Sequence, residues 1–315
     1  MKELTIRKFE PTDVEDFIRL SKISFAEESL AEGITPEDFE QETRRIFRWK
    51  MLPYKLLTAL MRVSWEGFVA EKDGKVVGGG MYIGRNNRMI ITNLMVDPAY
   101  RRQGIGQALL VRRLERLAEG GFPYVMAQVL DTNIPSLQNL QKQNFEVFNQ
   151  FSVYERSLPL PKNIDAGIPP ITTRNIDRSD KALFGEIERK ITSSQILQVK
   201  GSVETQYFPT MWQKKYARFT GYSKWIKVAS AAEERIGFLC ASFQAQQRKG
   251  ILLQPIVADE DLQLLPAIIQ KAGSWLEAAG KEAMLVEIPD QQTTIRDYLL
   301  ENGWRKQFTW LELVR

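Results

Sequence analysis

The 315-residue chain contains no histidine and a single cysteine, Cys240. Without histidine there is no Ser-His-Asp or Cys-His nucleophile, no imidazole base, and little chance of a transition-metal site. One cysteine excludes internal disulfides and fits a reducing compartment. Charge of one sign is scarce too. With 43 Lys and Arg against 39 Asp and Glu, the formal net charge is +4, which is no footprint for nucleic acid or a membrane. No run approaches the roughly 18 apolar residues of a membrane span. Even the most apolar stretch, Met51 to Trp65, carries Lys55 and Arg62. The opening MKELTIRKFEP has no apolar segment of a signal peptide. These absences lead us to expect a soluble, cytoplasmic protein. Its chemistry would run on backbone dipoles, carboxylates, tyrosines and a bound cofactor.

What is present is a repeat. TIRKFEPTDVEDF near the start is echoed by TTRNIDRSDKALF past the midpoint, so Arg7 matches Arg174, Asp13 matches Asp180 and Phe17 matches Phe184. Each begins extended and then offers Thr or Asp as a helix cap. Next come FVAEKDGKVVGG, with an Asp73-Gly74 hairpin turn, and KVASAAEERIGF, so that Val77-Gly78 matches Ile236-Gly237. Each half then continues strand, helix, strand, short helix. In the first half these are MIITNLMV, a helix from about Gly106 to Glu119, YVMAQVL, and a helix ending near Asn144-Phe145. In the second they are GILLQPIV, LPAIIQKAGSWLEAAG, AMLVEI, and a helix ending at Gly303-Trp304. Four prolines in SLPLPKNIDAGIPP mark a linker. The expected domains are 1–157 and 169–315, joined by residues 158–168.

A long insertion separates the first helix from the first hairpin, from about Ser24 to Gly67. Its acids (Glu27, Glu28, Glu32, Glu37, Asp38, Glu40, Glu42) precede its bases (Arg44, Arg45, Arg48, Lys50). That order suits a solvated helix aligned with its macrodipole; a role in gripping substrate is the competing reading.

One segment carries chemistry: NLMVDPAYRRQGIGQALLVRRLERLAE. A strand ends at Val96, Pro98 stops it, and Arg101-Arg102-Gln103-Gly104-Ile105-Gly106-Gln107 leads into a helix with Leu109, Leu110, Leu114 and Leu117 at helical spacing. Glycines let successive N–H groups turn inward, and the helix N-terminus adds partial positive charge. The result is a seat for a pyrophosphate, or else a tight turn rimmed by solvated arginines. A dinucleotide fingerprint is excluded because its third glycine falls at Leu109, and a P-loop because no G-K-S/T follows.

V-D-P-A-Y-R-R-Q-G-I-G-Q-A-L resembles the acyl-coenzyme A motif of the GNAT N-acyltransferase superfamily, commonly Q/R-x-x-G-x-G/A, with Arg101, Gly104 and Gly106 in place. DTNIPSLQNLQKQNFE resembles that family's N-x-x-A-x-x-L-Y-x-K-x-G-F helix through Asn133, Lys142 and Phe145. The order of elements agrees over residues 4 to 155. The resemblance implies an α/β fold, a mixed α+β sheet, in two GNAT-like domains in tandem. It also implies acetyl-CoA as co-substrate, no metal, and direct attack by a primary amine of a small molecule or peptide. The arm of the coenzyme would lie between splayed strands Met89 to Val96 and Tyr124 to Leu130, pairing with the backbone of Leu94 and Val96. A backbone N–H near Met95 would hold the oxyanion. Residues Arg101 to Gln107, with Asn133, would complete the coenzyme site.

Three departures stand out. The family's tyrosine, which protonates the departing thiolate, falls at Leu140. Its loss would fall within the ~10²–10⁴-fold range of general acid catalysis. The glycine before the terminal aromatic is Asn144, which can take the same left-handed cap. No carboxylate lies on Arg88 to Val96, leaving Glu27, Glu28 and Glu71 as weak candidates for the base. In the second half, Glu260-Asp261-Leu262-Gln263-Leu264-Leu265 replaces the seat. Both glycines are gone and carboxylates would repel a pyrophosphate, so that half is expected to be degenerate and to shape the acceptor cleft. Two-domain members that make low-molecular-weight thiols, and larger multi-acetylating ones, are precedents for a tandem. A non-catalytic acyl-CoA-binding regulatory module is the alternative. Cys240, in GFLCASF, is expected in the core.

Overall fold

The computed structural model describes residues 4–25, 40, 44, 63–85, 88–161, 170–219, 221–231 and 235–315. Most of the insertion, including Glu27 and Glu28, and most of the linker therefore lie outside the described residues. The chain forms two compact units: residues 1–148 with 310–315, and residues 149–309.

Unit 1 begins with β1 (Thr5–Lys8) and α1 (Val14–Ser24), then β2 (Val63–Lys72), β3 (Lys75–Arg85) and β4 (Arg88–Val96). It continues through α2 (Ile105–Glu119), β5 (Tyr124–Leu130) and α3 (Ile134–Gln141) to the start of β6 (Glu146–Ser157). Strands β1 to β4 pair antiparallel in sequence order, and β4 pairs with β5 in parallel. The Asp73-Gly74 turn places both residues at positive φ, 54° and 73°, which is the hairpin geometry expected of that dipeptide. Helix α2 buries Ile105, Leu109, Leu110 and Leu117 to 2% exposure or less. Each such side chain contributes roughly 1.5–3 kcal/mol.

Unit 2 holds β7 (Thr172–Asn175), the helices α4 (Lys181–Ile191), α5 (Ser194–Lys200), α6 (Glu204–Tyr207) and α7 (Met211–Phe219), then β8 (Tyr222–Ala231) and β9 (Arg235–Gln244). After β10 (Lys249–Leu252) and β11 (Ile256–Val257) come α8 (Leu265–Ala278), β12 (Ala283–Pro289), α9 (Thr293–Glu301) and the start of β13 (Arg305–Val314). Its strand order, β7-β8-β9-β10-β12-β6, repeats that of unit 1, β1-β2-β3-β4-β5-β13, with β11 beside β9.

The repeat extends to single residues. Gly78 faces Val96 in unit 1, and Gly237 faces Val257 in unit 2. Arg7 grips Asp13 with two hydrogen bonds of 2.8 Å, and Arg174 grips Asp180 at 2.8 and 2.6 Å. Each aspartate also accepts a backbone N–H three residues upstream, from Glu10 and Asp177. Asn144 and Gly303 both cap a short helix at positive φ, 61° and 76°, ahead of buried Phe145 and Trp304. Cys240 is fully buried on β9, and burial pushes its thiol up to about 11, as suits a core residue.

The division of the chain differs from the expected boundary in residues 158–168. Phe151–Ser157 pair with β12 and belong to unit 2. The chain's last residues return to unit 1, where Trp310–Val314 pair antiparallel with β5. Leu158 N–H donates to Glu282 O, and Leu160 is buried in the unit 2 core, so the linker's first residues are packed rather than free.

Candidate functional site

The site starts where β4 leaves the sheet. Its parallel ladder with β5 runs from Arg88 opposite Tyr124 to Ile91 opposite Ala127 and stops. On the other side, Thr92 faces Met81 and Met95 faces Gly79, so Asn93 and Leu94 together face the single residue Gly80. This is a β-bulge, with Asn93 at φ 53°. A bulge bends its strand, and this one bends β4 at the point where β5 is lost. The gap is a cleft of about 280 Å3.

A buried cation braces the bulge. Arg113 on α2 is 1% exposed. Its Nε donates to Leu109 O, and its Nη1 donates to Met81 O and Thr92 O, all at 3.1 Å. A Cβ on Gly80 would lie 2.9 Å from the Arg113 Cζ, so a larger residue there would push the guanidinium from its place. Burial, with no acidic partner among the described residues, pulls its pKa down to about 9, so it is charged at neutral pH. Sequence reasoning passed over Arg113. The available signal was an arginine on the apolar stripe of Leu109, Leu110 and Leu117.

Beyond the bulge, Asp97 N–H donates to Val77 O at 2.9 Å. Alternate residues of an antiparallel ladder turn the same way, so Met95 also faces β3, while Leu94 and Val96 turn their backbone groups outward. Near Met95, the backbone N–H that turns away from β3 is therefore that of Leu94, which lines the cleft. Met95 is fully buried, and its sulfur accepts the Ser21 hydroxyl. The outward Val96 carbonyl accepts Arg101 Nε at 3.1 Å.

The expected anion seat follows. Asp97 accepts from Ala99 N–H at 3.1 Å and pairs with Arg19 of α1 at 2.9 Å, which fixes the exit of β4. Arg101 is extended, whereas Arg102 and Gly104 are left-handed at φ 60° and 78°. Such alternation turns N–H groups into a concave nest. A Cβ on Gly104 would meet nothing within 4 Å, so its φ, not crowding, requires glycine. Helix α2 starts at Ile105 with no side-chain cap, which leaves first-turn N–H groups to an anion or water. Ile105 anchors the turn in the core, Gly106 is half-buried, and Arg101, Arg102, Gln103 and Gln107 are exposed. Gln103 accepts from Lys72 at 2.7 Å. Across the cleft, Asn133 caps α3 by accepting from Ser136 N–H at 3.2 Å.

The structure brings Leu94, Asn133, Leu140, Arg113 and Trp310 to one cleft. Glu71 is not among its lining residues and pairs with Arg7 at 2.9 Å. Of the insertion's charged residues, Glu40 and Arg44 are described; they pair with each other at 2.9 Å, Glu40 also with Lys22 and Arg44 also with Glu15 of α1.

The matching place in unit 2 is built differently. GILLQPIV breaks into β10 and β11 around Pro255, which stands where Leu94 does and has no N–H. Gln254 O accepts the buried Tyr207 hydroxyl at 2.8 Å. The turn before α8 is a 3-10 helix, Asp259–Leu264, with no positive φ. Leu264 and Leu265 are buried in the core.

Residues 29–145 match the family model for the acetyltransferase (GNAT) family. The mycothiol acetyltransferase of Thermobifida fusca (strain YX) is 27% identical over 161 residues, 49% of this chain. The chain spans just under half of that relative, 47%. Among solved structures, a tandem GNAT protein from the clavulanic acid biosynthesis pathway aligns over 99% of this chain and 98% of its own, with TM-score 0.63 and 13% identity. A GCN5-related N-acetyltransferase from Sphaerobacter thermophilus aligns over 99% and 95%, with TM-score 0.65 and 15% identity. At these identities the structural likeness establishes the fold.

Proposed function

We propose, from the match of residues 29–145 to the acetyltransferase (GNAT) family model and the fold shared with a tandem GNAT protein, that unit 1 transfers an acetyl group from acetyl-CoA to a primary amine. The observation that carries this reading is the bulge at Asn93-Leu94, which opens β4 from β5 beside an uncapped helix N-terminus. The pyrophosphate would sit on the N–H groups from Gln103 to Gln107, with Arg101 and Arg102 at the rim. The pantetheine arm would pair with Leu94 and Val96 as an added strand. The Leu94 N–H would then hold the thioester oxygen as it becomes an oxyanion. The amine attacks the carbonyl carbon and the thiolate departs, with no acyl-enzyme.

Freeing an amine of pKa ~8 at pH 7 costs about 1.4 kcal/mol, against about 4–5 for a lysine-type amine. Glu71 is engaged by Arg7 and no carboxylate is among the described residues that line the cleft, which favours an acceptor of low amine pKa. The experiment is steady-state thiol release from acetyl-CoA across a panel of amines. Turnover with at least one amine is expected. Tight acetyl-CoA binding without turnover would favour a non-catalytic, acyl-CoA-sensing module. Leu140, buried where a hydroxyl would assist departure of the thiolate, is the observation that favours that second reading.

A further inference from the structure

Arg113 is the one ionisable side chain among the described residues that line the cleft. Several charged groups on the surrounding elements, among the described residues, are engaged elsewhere. On α2, Arg112 pairs with Glu115, and Arg116 with Glu66 of β2. Tyr82 of β3 donates to Glu66, and Arg19 of α1 pairs with Asp16 and Asp97. From β5 and α3 the cleft receives amides and a hydroxyl, Gln128, Asn133 and Ser136. The three bonds that fix the guanidinium use Nε and Nη1 on neutral carbonyls, and none of them cancels its charge. A buried cation without a counter-ion is costly, because burial strips away water that nothing of opposite charge replaces. Such a site is electrostatically matched to a negative charge that arrives or forms beside it.

Resting on the reading that the thioester lies in this cleft, we propose that Arg113 stabilises the negative charge that reaction builds there. It holds the bulge by two carbonyls and presents an unneutralised positive charge to the departing sulfur. In the step concerned, the amine nitrogen forms the new C–N bond. The C–S bond breaks and leaves its electron pair on sulfur, and the ammonium proton passes to water. The sulfur leaves as a thiolate, so no side-chain acid is required at Leu140.

The test is titration of coenzyme A bound to the full-length protein, following the ultraviolet absorbance of the thiolate. A free thiol titrates near ~8.5. The bound thiol is expected at least about one pKa unit lower, equivalent to roughly tenfold more thiolate at a given pH below both values. Arg113→Gln, which can still donate to the carbonyls, should lose that shift, and Arg113→Lys should keep most of it. The kcat of Arg113→Gln should fall by about 10², while its affinity for acetyl-CoA changes by less than about threefold. A bound thiol at its free value in the unsubstituted protein would overturn the proposal. So would equal losses in the Gln and Lys variants with the thiol titration unchanged, which is the signature of packing alone. Calorimetry that detects no coenzyme binding by the unsubstituted protein would overturn the reading of the cleft itself, and this inference with it.

Discussion

At the scale of single residues, Asp13 and Asp180 perform one task in each half: an arginine fork on one side, a backbone N–H on the other. For Asp180 the Arg174 hydrogen bonds are the largest influence and hold its carboxyl below the usual range. For Asp13 burial pushes upward most, but the Arg7 and Glu10 hydrogen bonds together outweigh it. A carboxyl depressed in the folded state contributes stability that is fully present above its unfolded pKa and lost as pH falls through the folded one. Denaturant midpoints should therefore hold from neutral pH to the ordinary carboxylate range and drop below it. Asp180→Asn should remove about 1–2 kcal/mol at pH 7 and flatten that acid slope. An unchanged slope would remove Asp180 from the account. The recurrence of Arg7 and Asp13 as Arg174 and Asp180 was legible as letters; that each arginine grips its aspartate was not. Nor was Arg113, because a lone arginine on an apolar stripe gives no sign of which carbonyls will meet it.

Gly104 is the residue on which the seat depends. Gly104→Asp puts a side chain and a negative charge at a left-handed position facing open space. It should abolish acetyl-CoA binding in calorimetry while leaving the far-ultraviolet circular dichroism intact. Arg101→Ala should weaken binding less, since an exposed charge is partly screened. Equal losses from the two would put the binding energy in the rim rather than the backbone.

At the scale of elements, strand and helix identities followed from periodicity, and the ranges of α2, β5 and α8 lie within a residue or two of expectation. Two features were not legible. The bulge at Asn93-Leu94 adds one residue to β4, and only the partner strand's register reveals it. The final strands gave no sign of their partners, because β6 and β13 have similar composition and strand pairing is set by contacts remote in sequence. The consequence is testable. Trp310–Val314 cover β5, and Trp310 lines the cleft. Deleting residues 310–315 should bare the edge of β5, lower the melting temperature and weaken acetyl-CoA binding at least about tenfold. Full affinity in the truncated chain would show that β5 needs no cover.

At the scale of the whole molecule, two units of one topology diverge at the place where coenzyme chemistry would occur. Unit 1 has a left-handed glycine, an uncapped helix start and an outward Leu94 backbone. Unit 2 has a 3-10 turn, a proline without an N–H, and a carbonyl already bonded by Tyr207. It nonetheless has a packed core, with Leu252, Ile268, Ile269, Leu276 and Val286 at or near zero exposure. The account therefore stands on one number, the stoichiometry of acetyl-CoA on the full-length chain by isothermal titration calorimetry. One coenzyme per chain is predicted, with no binding remaining in Gly104→Asp. Two per chain, or one that survives Gly104→Asp, would contradict it.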